Sequence, residues 1–223
     1  MLGRLLLWMD TAARTGPEAM AVDEWLWETA SEPVLRIYEW QGAWGSIGCF
    51  GRLAEARAAL PGLDWVRRWT GGGTVDHRQD WTYTLLLPAS EILARAKGAE
   101  SYRIIHAALA GALALEGHQP RLADTASTTA GGLCFQQPVE HDLLEERGAK
   151  LAGAGQRRTR SGLLHQGSVA LATPDAATSL LRARRLAAAL AVGCEEIFIN
   201  PPAEDLRERI ARRYGNPEWT QRR

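Results

Sequence analysis

The order of apolar and polar positions along the chain predicts a succession of strands and helices. Residues 34–40 alternate apolar and polar side chains, and residues 80–86 do so in part, as expected for strands with one buried face. Residues 5–10 form a short apolar run that is typical of a buried strand. Residues 15–30 follow as a helix, because Pro17 stands in the first turn and apolar side chains are spaced among acidic ones. The chain therefore begins with a strand and a helix in close succession.

Later segments add a hairpin and several more helices. A β-hairpin is predicted from residues 150–159 and 163–172, which flank a turn at residues 160–162. The other elements predicted are strands at residues 44–47 and 64–69, a loop at 125–132, and helices at 55–60, 101–115, 175–190 and about 203–215. Strands outnumber helices and hairpins recur, so we expect one α+β domain over residues 1–223 with a mixed, largely antiparallel sheet flanked by helices.

Composition and charge limit the functions that the chain can have. Arginine and lysine together number 26, as do aspartate and glutamate, so the net charge is zero. Nonspecific nucleic-acid binding needs an excess of cations, so no nucleic-acid partner is expected. No apolar run approaches the length of a membrane span, so no membrane partner is expected either.

The cysteines indicate free thiols in a reducing compartment. Cys49, Cys134 and Cys194 are an odd number at wide spacing, which favours a cytoplasmic protein over a disulfide-bonded one. No C-x-x-C or H-E-x-x-H pattern occurs, so no bound metal is expected. No segment has the pattern of a dimerisation helix, so a monomer is expected.

Lys150 is one of two lysines among 26 basic residues, and it follows Cys134 by sixteen positions. Arginine can serve most surface charges, so a lysine kept among so many arginines indicates a place that needs a compact amine. A nearby ammonium stabilises a thiolate, and a thiolate exchanges with a thioester without ATP. The pair therefore suits acyl transfer, although a core cysteine and a solvated lysine fit the same residue types. A cysteine–histidine pair through His141 or His165 is a weaker alternative, because no pattern around either histidine supports a base.

Two glycine-rich segments predict close approach of the backbone to a ligand. Arg67 and Arg68 precede three consecutive glycines at residues 71–73, which can present backbone amides while the arginines engage an anion or carboxylate. Residues 152–155 read Ala-Gly-Ala-Gly, so this strand has little side-chain bulk and could border a slot for an acyl chain. The alternatives are a glycine-rich hairpin turn in the first case and close strand packing against a helix in the second.

Taken together, the motifs resemble the lipoate-protein ligase A and octanoyltransferase family, which is related in fold to biotin protein ligases. They read MAVDE at 20–24, LRIYEW at 35–40, RR at 67–68, GGG at 71–73, KLAG at 150–153 and HQGS at 165–168. The resemblance implies a class II synthetase or biotin-lipoate protein ligase type of sheet, with the arginine-glycine turn and the lysine hairpin enclosing the acyl group. It implies Cys134 and Lys150 as catalytic residues. The substrate-binding residues that it implies are Arg67, Arg68, Gly71, Gly72, Gly73, His77, Gly153, Gln156, His165 and Gly167.

The family that these motifs resemble contains two kinds of enzyme. Its ligases activate lipoate or octanoate with ATP to an acyl adenylate, and its cysteine-dependent members carry octanoate on an enzyme thioester. Cys134, Phe135, Pro138 and residues 142–144 resemble the catalytic cysteine segment of the second kind. Gly73 resembles the ligase form of the turn, whereas the short C-terminal region resembles the transferases.

The expected function is transfer of an octanoyl (or lipoyl) group from acyl carrier protein, through a cysteine thioester, to a lysine of a lipoyl domain. The expected acceptors are lipoyl domains of the glycine-cleavage protein or of 2-oxoacid dehydrogenase subunits, and no cofactor is expected. A ligase would instead require ATP and Mg²⁺. A third reading is a noncatalytic module that binds lipoyl domains or nucleic acid through basic residues at 182–185 and 207–213, although such runs are typical of solvated helix faces.

Overall fold

A mixed eight-stranded sheet runs through the computed structural model, which describes residues 1–124 and 138–222. In spatial order the strands are β11 (Ala191–Ile197), β1 (Leu2–Arg14), β2 (Val34–Trp40), β6 (Trp81–Pro88), β10 (Gly162–Val169), β9 (Lys150–Thr159), β8 (Leu143–Leu144) and β7 (Arg121–Leu122). β1 is parallel to both of its neighbours, and the other five pairings are antiparallel. The predicted mixed, largely antiparallel sheet is confirmed.

A second, three-stranded sheet carries the glycine-rich turn. Its strands, in spatial order, are β4 (Asp64–Arg67), β3 (Trp44–Ile47) and β5 (Thr74–Asp76). The turn between β4 and β5 reaches the main sheet, where the backbone N–H of Gly71 donates to the carbonyl of Gln156 in β9 at 3.3 Å. The small sheet therefore fixes the turn directly over the lysine hairpin.

Helices cover both faces of the main sheet. They are α1 (Gly16–Thr29), α2 (Leu53–Ala59), α3 (Ile92–Arg95), α4 (Gly98–Ala114), α5 (Ala176–Leu190), α6 (Ala203–Arg209) and α7 (Pro217–Gln221), with a π-helical turn at Ile210–Tyr214 after α6. At the start of α1, the Glu18 carboxylate accepts the backbone N–H of Thr15 at 2.8 Å and Pro17 occupies the first turn. Both features favour a helix that begins at this point.

The strand alternation divides the interior into two cores. One core contains Tyr83 and Leu85 of β6 together with the apolar faces of α4 and α5. The other contains Leu86 of the same strand, with side chains from α1, α6 and the π-helical turn. Successive side chains of a strand point to opposite faces, so a single strand serves both cores. Burial of both faces explains why β6 has only one partly exposed residue, at its end.

Most elements that the sequence predicts are present, with shifts of a few residues. The strands predicted at 34–40 and 44–47 have those bounds, the predicted helix at 101–115 begins at Gly98, and the strand predicted at 64–69 ends at Arg67. The sequence did not predict β5 or β11. β11 contains a glycine and two glutamates and pairs on one side only, so it lacks the apolar alternation of a buried strand. The predicted loop at 125–132 lies outside the described residues.

No helix within residues 1–124 and 138–222 is long and apolar enough to cross a membrane.

Candidate active site

A cavity with about 470 Å³ of empty space, part of it open to solvent, lies between the small sheet and the main sheet. We call residues 67–77 the glycine-turn wall, and β9, β10 and residues 138–142 the hairpin wall. The predicted site residues that line the cavity are Arg68, Gly72, Gly73, His77, Lys150, Gly153 and Gly167. Residues far apart in sequence therefore meet as the motif pattern predicts.

Lys150 lies at the start of β9 and points its amine at a buried carboxylate. Its Nζ is 2.7 Å from Oδ2 of Asp142, and the two side chains are 10% and 0% exposed. Gly153 makes room for this arrangement, because a Cβ there would lie 2.5 Å from Cε and 2.7 Å from Nζ of Lys150. The lysine is thus a largely buried cation that is held against the cavity, and the solvated strand end considered above is wrong.

Arg68 provides a second cation from the glycine-turn wall. Its guanidinium donates to the Ser46 hydroxyl at 2.5 Å and to the carbonyl of Gly73 at 2.9 Å. Ser46 in turn lies 2.6 Å from Nε2 of His77, whose Nδ1 lies 2.7 Å from the Asp80 carboxylate. Because a carboxylate only accepts, Nδ1 carries the proton and Nε2 of a neutral ring accepts from Ser46. This chain of hydrogen bonds fixes the side chains of Arg68 and His77 in the cavity lining.

Arg67 points away from the cavity, although it is adjacent to Arg68 in sequence. Its side chain is completely buried and donates to six backbone carbonyls at 2.7 to 3.2 Å. Those carbonyls belong to Gly48, Cys49, Gly51, Trp219, Thr220 and Arg222. The structure therefore places Arg67 behind the glycine turn as a clamp between a loop and the C-terminal segment, outside the residues that line the cavity.

The glycines allow the two walls to approach without side chains between them. Gly72 has a φ of +90°, a conformation that glycine adopts without strain. A Cβ on Gly155 would overlap the carbonyl oxygen of Gly71, and a Cβ on Gly167 would overlap the ring of Tyr83. Gly155 and Gly167 are therefore required because a side chain would not fit, and Gly72 is favoured by its backbone conformation.

Gln156 and His165 belong to a hydrogen-bond network behind the cavity. The Gln156 amide lies 2.9 Å from Nδ1 of His165, and Nε2 of His165 lies 3.1 Å from the hydroxyl of Tyr83. Arg158 donates to the Gln156 oxygen at 2.7 Å, which makes the amide nitrogen the donor to His165. Burial lowers the pKa of His165 well below its usual value, so the ring is neutral. These two predicted residues support β9 and β10 and do not line the cavity.

Several residues of the site escaped the sequence prediction. Gln166 lines the cavity and bridges the two walls, because it accepts from the Thr70 hydroxyl at 2.7 Å and donates to the Asp23 carboxylate at 2.6 Å. Asp142 pairs with Lys150, and Tyr102 donates a hydrogen bond to Asp142. A polar aromatic residue in the apolar run of α4 was the signal for Tyr102, and the motif HQGS at 165–168 was the signal for Gln166.

The cysteine predictions have different outcomes. Cys134, the predicted nucleophile, lies outside the described residues, and its distance from Lys150 is not described. Cys49 and Cys194 are free thiols, the first buried and the second exposed, as expected for a reducing compartment. Burial raises the pKa of Cys194, so its thiol is not activated.

Solved structures of lipoate ligases share this fold. A putative lipoate protein ligase from T. acidophilum with bound lipoic acid superposes with a TM-score of 0.77, at 19% identity over 99% of this chain and 100% of that one. A lipoate-protein ligase A bound with ATP superposes with a TM-score of 0.75, at 20% identity over 99% of each chain. The chain therefore has the fold of these lipoate ligases.

The sequence comparisons agree and are more specific. Residues 15–191 match the family model of the lipoyl protein ligase A/B catalytic domain, and the chain belongs to that family. The resemblance that the motifs indicated is thus confirmed.

Curated relatives of this chain carry the name octanoyltransferase LipM. The protein from Staphylococcus epidermidis is 30% identical over 177 residues, which cover 72% of this chain and 64% of that protein. The protein from Kyrpidia tusciae is 33% identical over 180 residues, which cover 73% of this chain and 65% of that protein. The chain thus matches slightly less than two thirds of the length of these relatives.

Proposed function

We propose that this protein is an octanoyltransferase of protein lipoylation. It moves an octanoyl (or lipoyl) group from acyl carrier protein, through a thioester on Cys134, to a lysine of a lipoyl domain. The observation that carries this proposal is the 30% identity to relatives named octanoyltransferase LipM, together with a lysine set into the wall of a narrow, glycine-lined cavity. Free thiols at Cys49 and Cys194 support a cytoplasmic location.

The proposed chemistry has two balanced steps. In the first, the Cys134 thiolate attacks the thioester carbonyl carbon, a new C–S bond forms, and the carrier thiolate leaves and takes up a proton. In the second, the amine of the acceptor lysine attacks the same carbon, a C–N bond forms, and the cysteine thiolate leaves while the amine loses its proton. Thioester exchange is close to isoenergetic and amide formation is downhill, so ATP is not needed.

The cavity suits each step in a different way. Its glycine-rich lining from both walls admits an unbranched acyl chain, and the stacked rings of Trp40 and His77, 4.0 Å apart, add an apolar surface. The cations of Arg68 and Lys150 favour a thiolate and the developing negative charge on the carbonyl oxygen. Arg67, Gln156 and His165 act in this proposal by holding the walls in place.

Acyl-adenylate ligation remains a distinct alternative, because the third glycine of the turn, Gly73, resembles the ligase form. A ligase would bind ATP and Mg²⁺ and use the free acid, with Lys150 near the adenylate phosphate. The two functions differ in one testable respect, since only the transferase forms a covalent intermediate on Cys134.

Intact-mass measurement after mixing with octanoyl carrier protein, without ATP, separates the two functions. The wild-type protein is expected to gain one octanoyl group that alkali removes, and Cys134→Ser is expected to gain none. Cys194→Ser is the matched control, because it removes an exposed thiol and should leave the adduct intact. Added lipoyl domain should discharge the adduct.

Absence of the adduct in the wild-type protein, with turnover only when free octanoate, ATP and Mg²⁺ are supplied, would replace the transferase with the ligase. Absence of turnover under both conditions, with retained binding of a lipoyl domain, would point to the noncatalytic module.

A further inference from the structure

Two side chains of α4, one turn apart, reach toward the segment that faces Lys150. Tyr102 and His106 are four residues apart, so they lie on the same side of the helix. The Tyr102 hydroxyl donates to Oδ1 of Asp142 at 2.6 Å, and Nδ1 of His106 donates to the carbonyl of His141 at 2.7 Å. The helix thus contacts both the side chain of Asp142 and the backbone that precedes it.

The carboxylate of Asp142, which is buried, has a fixed orientation because each of its oxygens accepts a hydrogen bond. Oδ1 accepts from Tyr102, and Oδ2 accepts the backbone N–H of Val139 at 2.7 Å. Oδ2 is also the oxygen that lies 2.7 Å from Nζ of Lys150. A rotation of the carboxylate would therefore break contacts on both sides.

Tyr102 is itself tied to the strand that carries Lys150. Its oxygen accepts the backbone N–H of Ala154 at 2.7 Å, so its own proton points to the carboxylate. Burial raises the pKa of Tyr102 well above its usual value, which keeps the hydroxyl protonated. Burial lowers the pKa of His106 to about 4, which keeps that ring neutral at physiological pH.

We propose that Asp142 is a positioning residue of the acyl transfer, which holds the Lys150 ammonium at the cavity wall in an orientation set by Tyr102 and His106. This proposal rests on the octanoyltransferase function proposed above. Asp142 acts through Lys150. Its effect is to keep the amine in place at the cavity wall while the thioester forms and breaks.

Amine labelling tests the proposal without any need for turnover, because the chain has only two lysines. Acetic anhydride acylates the amines that it can reach, so the ratio of labelled Lys150 to labelled Lys97 in the folded protein reports how firmly the Lys150 amine is held. Asp142→Asn is expected to raise this ratio at least about threefold, since the amine loses the carboxylate that holds it in place. Tyr102→Phe, which removes one of the hydrogen bonds that orient the carboxylate, is expected to raise it about twofold.

Tyr83→Phe is the matched control. It also removes one buried tyrosine hydroxyl, but that hydroxyl contacts His165 and not Asp142. Its labelling ratio should equal that of the wild-type protein. Circular dichroism of each variant establishes that it is folded before the ratios are compared.

Kinetics with octanoyl carrier protein and a lipoyl domain give the second measurement. Asp142→Asn should lower kcat at least about tenfold and change KM for the donor by less than about threefold, because a positioning defect acts on the reacting geometry. If Asp142→Asn does not fold, Tyr102→Phe carries the test alone.

Labelling ratios of Asp142→Asn and Tyr102→Phe that match the Tyr83→Phe control would overturn the proposal. A wild-type protein that shows no octanoyl transfer would refute the proposed function instead, and the labelling ratio would still report the hold on Lys150. The two failures are therefore distinguishable.

Discussion

The two walls of the cavity each supply one cation and hold it by different chemistry. Arg68, on the glycine-turn wall, donates to a serine hydroxyl and to backbone carbonyls. Lys150, on the hairpin wall, is paired with the carboxylate of Asp142. A guanidinium spreads its charge over five donors and can be satisfied by neutral acceptors, whereas a compact ammonium gains most from a carboxylate.

The supports behind the walls differ in the same way. The glycine-turn wall rests on Arg67, which stays charged at every pH at which proteins fold. The hairpin wall rests on His106 and His165, whose pKa values are lowered by burial. We therefore expect the first wall to fail when side chains are replaced and the second to fail also when the pH falls.

Replacement of Arg67 by methionine should produce the largest loss of stability. Six carbonyls lose the arginine as a donor, and among the described residues only those of Gly48 and Cys49 have a second donor, from Gly51 and Arg222. Unpaired buried polar groups cost about 1–3 kcal/mol each before relaxation, so we expect a loss of at least about 3 kcal/mol. Urea unfolding measures this free energy. Arg184→Met, which removes an exposed pair with Glu196, is the control and should stay within about 0.5 kcal/mol of the wild type. An equally small loss for Arg67→Met would show that the clamp is dispensable.

Acidification should destabilise the hairpin wall by a comparable amount. Burial lowers the pKa of His106 from 6.5 to about 4, so the unfolded chain takes up a proton first as the pH falls. The resulting loss of unfolding free energy is absent above pH 6.5, grows as the pH falls to about 4, and reaches on the order of 3 kcal/mol. His106→Asn can still donate to the His141 carbonyl but does not titrate, so its unfolding free energy should fall less steeply over this range. Parallel pH profiles of the two proteins would contradict the expectation.

The contact between the walls can be tested at Gly155. A Cβ there would overlap the carbonyl of Gly71, so Gly155→Ala should cost about 1–3 kcal/mol by pushing the walls apart. Gly111→Ala is the matched control, since nothing lies within 4 Å of its added Cβ and alanine favours the helix by up to about 1 kcal/mol. Thermal unfolding of both variants gives the comparison, and equal melting temperatures would mean that the walls are not in contact.

Arg68→Lys should have the smallest effect on stability and a clear effect on activity. The charge is kept, but a lysine cannot reach Ser46 and two carbonyls in one plane, so we expect a loss of about 1 kcal/mol. Octanoyl transfer should fall at least about tenfold, because the cation no longer faces the cavity in a fixed place. Unchanged kcat and KM would place Arg68 outside the reaction.

The sequence predicts the parts of the fold that alternation and motif spacing can encode. The bounds of β2 and β3 are correct. The lysine hairpin is predicted from its turn at residues 160–162; its first strand has the predicted bounds, whereas its second spans Gly162–Val169 and not 163–172. β11 was missed because a strand at the sheet edge with exposed glutamates has no such period.

The sequence predicted which residues belong to the candidate site, but not which way their side chains point or which residues they contact. Arg67 and Arg68 are chemically identical in the sequence. The structure directs Arg67, the last residue of β4, to the C-terminal segment and Arg68, the next residue, to the cavity. The support of Lys150 by Tyr102 joins residues 48 positions apart, which no local pattern reveals.

The Arg67 clamp has a consequence for the order in which the molecule can be completed during synthesis. Three of its six acceptors, in Trp219, Thr220 and Arg222, leave the ribosome more than 150 residues after the arginine itself. Until they emerge, a buried guanidinium lacks half of its partners, and the turn beside it has no firm backing. The glycine-turn wall is therefore synthesised early but gains its C-terminal contacts late. A nascent chain would acquire its lysine hairpin before the wall on the other side of the cavity is fully held in place.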